Sequence, residues 1–105
     1  MTDKIVVFTT CGSEEEARKL AAALIEKRMA ACVNIAAPVT SVYRWKGKLE
    51  EAKEWMLIIK SRRERFEELR VVLEGAHSYE LPEVLAIPVV EGSPNFLAWV
   101  EDETR

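Results

Sequence analysis

Apolar positions along the chain follow two rhythms, and the switches between them mark out its elements. Ile5-Val6-Val7-Phe8-Thr9-Thr10 is a β-branched and aromatic run that predicts a first strand. Ser13-Glu14-Glu15-Glu16 comes next, with Ser13 as a helix cap and Glu16 reaching back to complete a capping box. The three carboxylates also suit the positive end of a helix. Ala17, Leu20, Ala21, Leu24 and Ile25 then recur at helical spacing, and Lys27 and Arg28 suit the last turn. Two extended arms follow, from about Ala31 to Trp45 and from about Lys48 to Lys60. Between them Lys46-Gly47 reads as a tight two-residue hairpin turn, with glycine supplying a positive φ. At ~3.3 Å per residue these arms run to more than twice a typical strand, so the hairpin projects beyond the body of the domain. Ser61-Arg62-Arg63-Glu64 predicts a second capping box, ahead of a helical stripe of Phe66, Leu69, Val72 and Leu73 that stops at Gly75. Val84 to Val90 reads as a fourth strand, with Pro88 placing it at a sheet edge or a break. Ser93-Pro94 opens a short terminal helix carrying Phe96, Leu97, Trp99 and Val100.

The order β-α-β-β-α-β plus a helix is the split βαβ, ferredoxin-like arrangement of the α+β class. It gives one antiparallel sheet with two helices on one face. Right-handed crossovers place strand one between strands three and four. The strands conflict with that simple picture. A half-solvated strand should alternate, yet Ile5 to Phe8, Trp55 to Ile59 and Val84 to Val90 are apolar on both faces. Association of subunits through their sheets is the simplest cover for the second face; a terminal helix folding over it is the alternative, and that helix is short for the area.

The 105 residues suffice for a single domain, residues 1–105, with one core. A net charge of -3 argues against a nucleic-acid surface, which needs a basic stripe. No run is long enough to span a membrane. Met1-Thr2-Asp3-Lys4 leads into only four apolar residues, so no signal peptide is visible and the expected location is cytoplasmic, with reduced thiols.

Strand directions bring the end of strand one and the loop after helix two to the same end of the fold. Cys11 and His77 can therefore approach each other. A thiolate and an imidazole suit a soft or borderline cation such as Cu(I) or Zn(II), with Glu80 or a neighbouring subunit completing the site. The alternative is a loop thiol and a histidine at a helix C-terminus. Cys32 sits at the opposite end among Ala30, Ala31 and Val33, and reads as packing rather than as a disulfide partner. Tyr79, Glu83, Lys60 and Trp55, with Pro82 fixing the loop, are expected to line a polar pocket between subunits; the alternative is an interfacial ion pair with a packed aromatic. Tyr43 and Trp45, at the hairpin tip, are expected to pack on a neighbouring subunit.

Several ordered blocks resemble the CutA family of divalent-cation tolerance proteins. They are Ala30-Ala31-Cys32-Val33-Asn34-Ile35, Ser41-Val42-Tyr43-Arg44-Trp45-Lys46-Gly47, Ile59-Lys60-Ser61 and His77-Ser78-Tyr79-Glu80-Leu81-Pro82-Glu83. Gly92 followed by Phe96-Leu97-Ala98-Trp99 completes the set. The resemblance spans nearly the whole chain. It implies a tight homotrimer whose long hairpins exchange strand contacts between subunits, and a link to copper and other divalent metals. The chain departs from the pattern at Ser78, where the family usually has proline, and at Phe96, where it usually has tyrosine. Some relatives carry a histidine at the position of Ala76 and a cysteine at that of Thr9. With those ligands missing, only weak copper binding is expected. The competing expectation is a small-molecule-binding trimer like the nitrogen-signalling PII proteins, by analogy of architecture. No enzyme is expected. The loop Cys11-Gly12-Ser13-Glu14-Glu15-Glu16 lacks the arginine that an acylphosphatase of this fold needs, and no nucleophile–base pair is visible. An RNA-binding reading fails because strand three lacks the required aromatic motif.

Overall fold

The computed structural model describes residues 1–105. β1 (Lys4–Cys11), α1 (Glu14–Glu26), β2 (Cys32–Trp45), β3 (Lys48–Arg62), α2 (Phe66–Ala76), β4 (Leu85–Pro88) and α3 (Pro94–Glu103) follow in order, with a 3-10 turn at Arg63–Arg65 leading into α2. The sheet order is β2-β3-β1-β4, so β1 lies between β3 and β4 as the crossover rule requires. Both of its pairings are antiparallel.

The register sorts the two faces of the sheet. Val7 pairs with Ile59 and Thr9 with Leu57, and all four side chains are buried beneath the helices. α1 contributes Ala17, Leu20 and Leu24 to this core, and α2 contributes Leu69 and Leu73. The opposite face carries Val6, Phe8, Met56 and Ile58, all only part-buried, with Leu85 and Ile87 exposed beside them. α3 closes only one end of this face. There Lys4 binds Glu101, while Arg62 donates to the Thr104 hydroxyl and carbonyl at 2.9 Å each. Arg65 also donates to the Thr104 carbonyl, at 2.7 Å. The terminal helix therefore covers part of the second face, and the rest stays open. No helix is long and apolar enough to cross a membrane.

The hairpin stretches the molecule to 44 Å along its long axis, against 26 and 23 Å across. Lys46 (φ 51°) and Gly47 (φ 81°) make the turn, both left-handed as a primed two-residue turn demands. A bulge at Ala37-Pro38 shifts the β2–β3 register partway along the arms.

Several local expectations are corrected. Ser61 does not cap α2. Its hydroxyl is buried and donates to the Met29 carbonyl at 2.6 Å, and the 3-10 turn enters the helix instead. Gly75 lies inside α2, which runs on to Ala76. Lys27 and Arg28 fall beyond the end of α1, and Arg28 (φ 59°) turns the chain toward β2. β4 is four residues long rather than seven.

Thr9 is fully buried, and its hydroxyl is the one buried side-chain polar atom in the molecule without a hydrogen-bond partner. Thr9→Val keeps the shape and removes the orphan, so it should stabilise the fold by about 1–2 kcal/mol. The check is the midpoint of denaturant unfolding at fixed protein concentration. An unmoved or lowered midpoint would show that the hydroxyl has a partner after all.

Candidate functional site

Two clusters form at the end of the molecule where β1 stops. The first surrounds His77, the C-cap of α2. Its side chain is completely buried, and both ring nitrogens are engaged. Nε2 lies 2.8 Å from the Thr10 carbonyl, which can only accept, so Nε2 carries the proton. Nδ1 accepts the Tyr79 amide N–H at 3.1 Å. Cys11 is fully buried, and its Sγ points at the Ser13 carbonyl, 3.5 Å away. Burial pushes the Cys11 thiol above its usual range, and the charges of Glu16 and Glu54 push the same way.

Glu16 departs from the capping-box reading. Ser13 does accept the Glu16 amide at 3.1 Å. The Glu16 carboxylate, however, turns to the next loop, where it accepts the Ser78 amide and hydroxyl at 2.9 Å each. Burial acts to raise its pKa, but the Ser78 hydrogen bonds and nearby His77 outweigh it, and the net shift is downward. A structural lock results, tying α1 to the loop after α2.

The fold thus places His77 at the end of β1, one residue from Cys11, as strand direction predicted. It does not give either group a ligand's freedom. A soft metal needs a thiolate and an imidazole lone pair, and here the thiol is disfavoured from ionising while the lone pair is taken. Nowhere are three or more His, Cys, Asp or Glu side chains grouped so as to hold a metal ion. As folded, these residues do not fit a metal.

The second cluster is a cleft of about 800 Å³ between the hairpin and the loop after α2, within the ~300–1,000 Å³ range of small-molecule sites. Tyr79, Glu83, Tyr43 and Trp45 all line it. Trp55 and Lys60 do not. Trp55 pairs with Cys11 and packs against the helix-side core. Lys60 pairs with Val6, further down the sheet, and donates to the Asn34 side chain. At the cleft the Tyr79 hydroxyl donates to Glu54 Oε2 at 2.7 Å. Burial, and after it the bond to Glu54, hold the Tyr79 hydroxyl well above the usual phenol range, so it remains a donor. Gly12 lets this ring lie close: a Cβ there would sit 3.3 Å from the Tyr79 hydroxyl oxygen.

The sequence reading missed Glu54. The segment Glu50-Glu51-Ala52-Lys53-Glu54 looks like a solvated arm. The available signal was alternation: Glu54, Met56 and Ile58 fall on one face of β3, a carboxylate in line with apolar residues.

Comparison with known proteins agrees with this architecture. Residues 5–103 match the family described as CutA1 divalent ion tolerance protein. Protein CutA of Mus musculus is 43% identical over 98 residues, 93% of this chain but 55% of the mouse protein, so the chain spans about half of that relative. The divalent-cation tolerance protein CutA of Thermus thermophilus is 42% identical, covering 94% of this chain and 96% of its own length. The crystal structure of CutA from Xylella fastidiosa superposes with a TM-score of 0.97 at 34% identity, covering 99% of this chain and all of that one. With the match running from the first strand through the terminal helix, this chain belongs to the CutA1 divalent ion tolerance family.

Proposed function

We propose that the protein is a non-enzymatic homotrimeric binding module acting in divalent-cation tolerance, with the cleft beneath Tyr79 as its ligand site. One observation carries the reading. An apolar sheet face stays open beyond the reach of α3, next to a hairpin long enough to reach a neighbour. Burying that face against copies of itself, at ~25 cal/mol per Å², stabilises so small a chain substantially.

Copper or zinc contact at Cys11 and His77 is the second reading. It is favoured by the carboxylate of Glu16, whose Oε2 lies 3.6 Å from His77 Nδ1. Such a metal must displace the Tyr79 amide from Nδ1 and ionise a buried thiol, so binding there is weak. Calorimetric titration of the intact protein with zinc and with reduced copper tests it. A weak isotherm should vanish in His77→Ala and in Cys11→Ser, and persist in Cys32→Ser. An isotherm unchanged in the His77→Ala/Cys11→Ser double variant would sink this site. Sedimentation of the unmodified protein showing a well-folded monomer at micromolar concentration would sink the trimer.

A further inference from the structure

We propose that the cleft beneath Tyr79 binds an organic ammonium ion, with the Glu54 carboxylate as its counter-charge. The proposal rests on reading the cleft as a ligand site, and it adds the chemistry of the ligand. Glu54 is only 6% exposed, yet it has no positive partner. The Tyr79 hydroxyl occupies Oε2 and supplies the only hydrogen bond the carboxylate receives. None of the ten ion pairs in the structure includes Glu54. The other ionised side chains with comparable burial are both engaged, Arg62 by Thr104 and Glu64, and Lys4 by Asp3 and Glu101. The second oxygen of Glu54 opens on the cleft rather than into the core, so the carboxylate offers a fixed negative charge at the cleft wall where a cation can sit.

The walls narrow the class. Lys46 rests over the Trp45 ring, 5.6 Å from its centroid, and does not reach Glu54. With Glu80 and Glu83 on the loop side, three carboxylates line the cleft against the two cations Arg44 and Lys46, so its net charge is negative and favours a cation over an anion. Tyr43, Trp45 and Tyr79 present aromatic rings, which attract a cation with an apolar body. A bare divalent metal is poorly served, because it needs several oxygen ligands held together and no such group exists here. An ammonium needs one carboxylate and a few hydroxyl acceptors, which Thr10, Ser41 and Ser78 supply at the same walls.

The test is a chemical-shift titration of the intact protein with 2-phenylethylammonium, with neutral 2-phenylethanol and anionic 3-phenylpropionate as controls. Saturable shifts are expected at Thr10, Glu54 and Tyr79 for the amine alone. Glu54→Gln keeps the shape and an acceptor for Tyr79, and should weaken the amine about tenfold or more. Arg70→Ala, on the solvated face of α2 and outside the cleft lining, should retain binding. Equal binding of the alcohol, or an amine affinity untouched by Glu54→Gln, would overturn the proposal. So would zinc saturating the same resonances where the amine does not. Sedimentation of the same samples separates this from the assembly reading. A monomer that binds the amine refutes the trimer and spares the ligand class. A trimer that ignores the amine refutes the ligand class. If Glu54→Gln also loosens that trimer, the counter-charge comes from a neighbouring subunit.

Discussion

Ile58→Asp is expected to convert the assembled protein into monomers that melt far below the parent. Ile58 lies near the middle of the open sheet face, paired across β1 with Phe8 and across β2 with Asn34. It is part-buried in the single chain, on the face left free by α1 and α2. In the proposed trimer the side chain is fully enclosed, and a carboxylate there has no partner. The cost of an unpaired buried charge is several kcal/mol, incurred once in every subunit. Ile25→Asp is the control. Ile25 is 42% exposed on α1, outside the proposed interface, and a surface change of that kind shifts stability by about 0.5 kcal/mol. Analytical ultracentrifugation with thermal melts at one concentration decides the matter. A variant at Ile58 that keeps the parent's mass and melting point means the face is not an interface.

Arg62→Ala should be the most damaging single change away from that face, at about 3 kcal/mol. Arg62 is 6% exposed. Its guanidinium gives Nε to the Thr104 hydroxyl, Nη2 to the Thr104 carbonyl and Nη1 to Glu64 at 2.7 Å. These bonds hold the end of α3 against the sheet, so their loss frees the helix that seats Val100 there. Arg62→Lys should recover little, because a single ammonium cannot span the fork of acceptors. Arg70→Ala also removes an arginine with two carboxylate partners, Glu67 and Glu74. That pairing is solvated, and its loss should be nearly silent. Denaturant unfolding at fixed concentration measures all three. A loss below about 1 kcal/mol for Arg62→Ala would show that Arg65 alone secures the terminus.

Most of the fold was legible because its signals are local or periodic. The hairpin turn at Lys46-Gly47, the helical stripes and the doubly apolar strands each follow from one rule of backbone geometry or burial. The central position of β1 follows from crossover handedness. The errors share another cause. Ser61 and Glu16 carry the right side chains for capping boxes, but partners remote in sequence claim their polar atoms: Met29 for Ser61, Ser78 for Glu16. The same holds at the site. Strand direction put His77 beside β1, but only the fold shows that Thr10 and Tyr79 occupy both its nitrogens. Trp55 and Lys60 are expected at the cleft from their place on a neighbouring strand, which tells neither the face nor the end of that strand. The pleat turns Trp55 toward the helices, and the length of β3 carries Lys60 away from Tyr79.

The strand order also bears on how the chain reaches this structure. β1 is made first and sits at the centre, yet both of its neighbours, β3 and β4, come much later in the chain. Each of those pairings closes a long loop before any contact rewards it. The β2–β3 ribbon needs no such closure, since it zips outward from the two residues of its turn. The hairpin that reaches furthest from the finished molecule is therefore the part best able to form on its own. β1 covers only the inner half of β3, from Trp55 to Arg62, so the outer half keeps an open edge in the finished chain, and Lys48, Glu50, Glu51 and Lys53 discourage a stray strand from pairing along it.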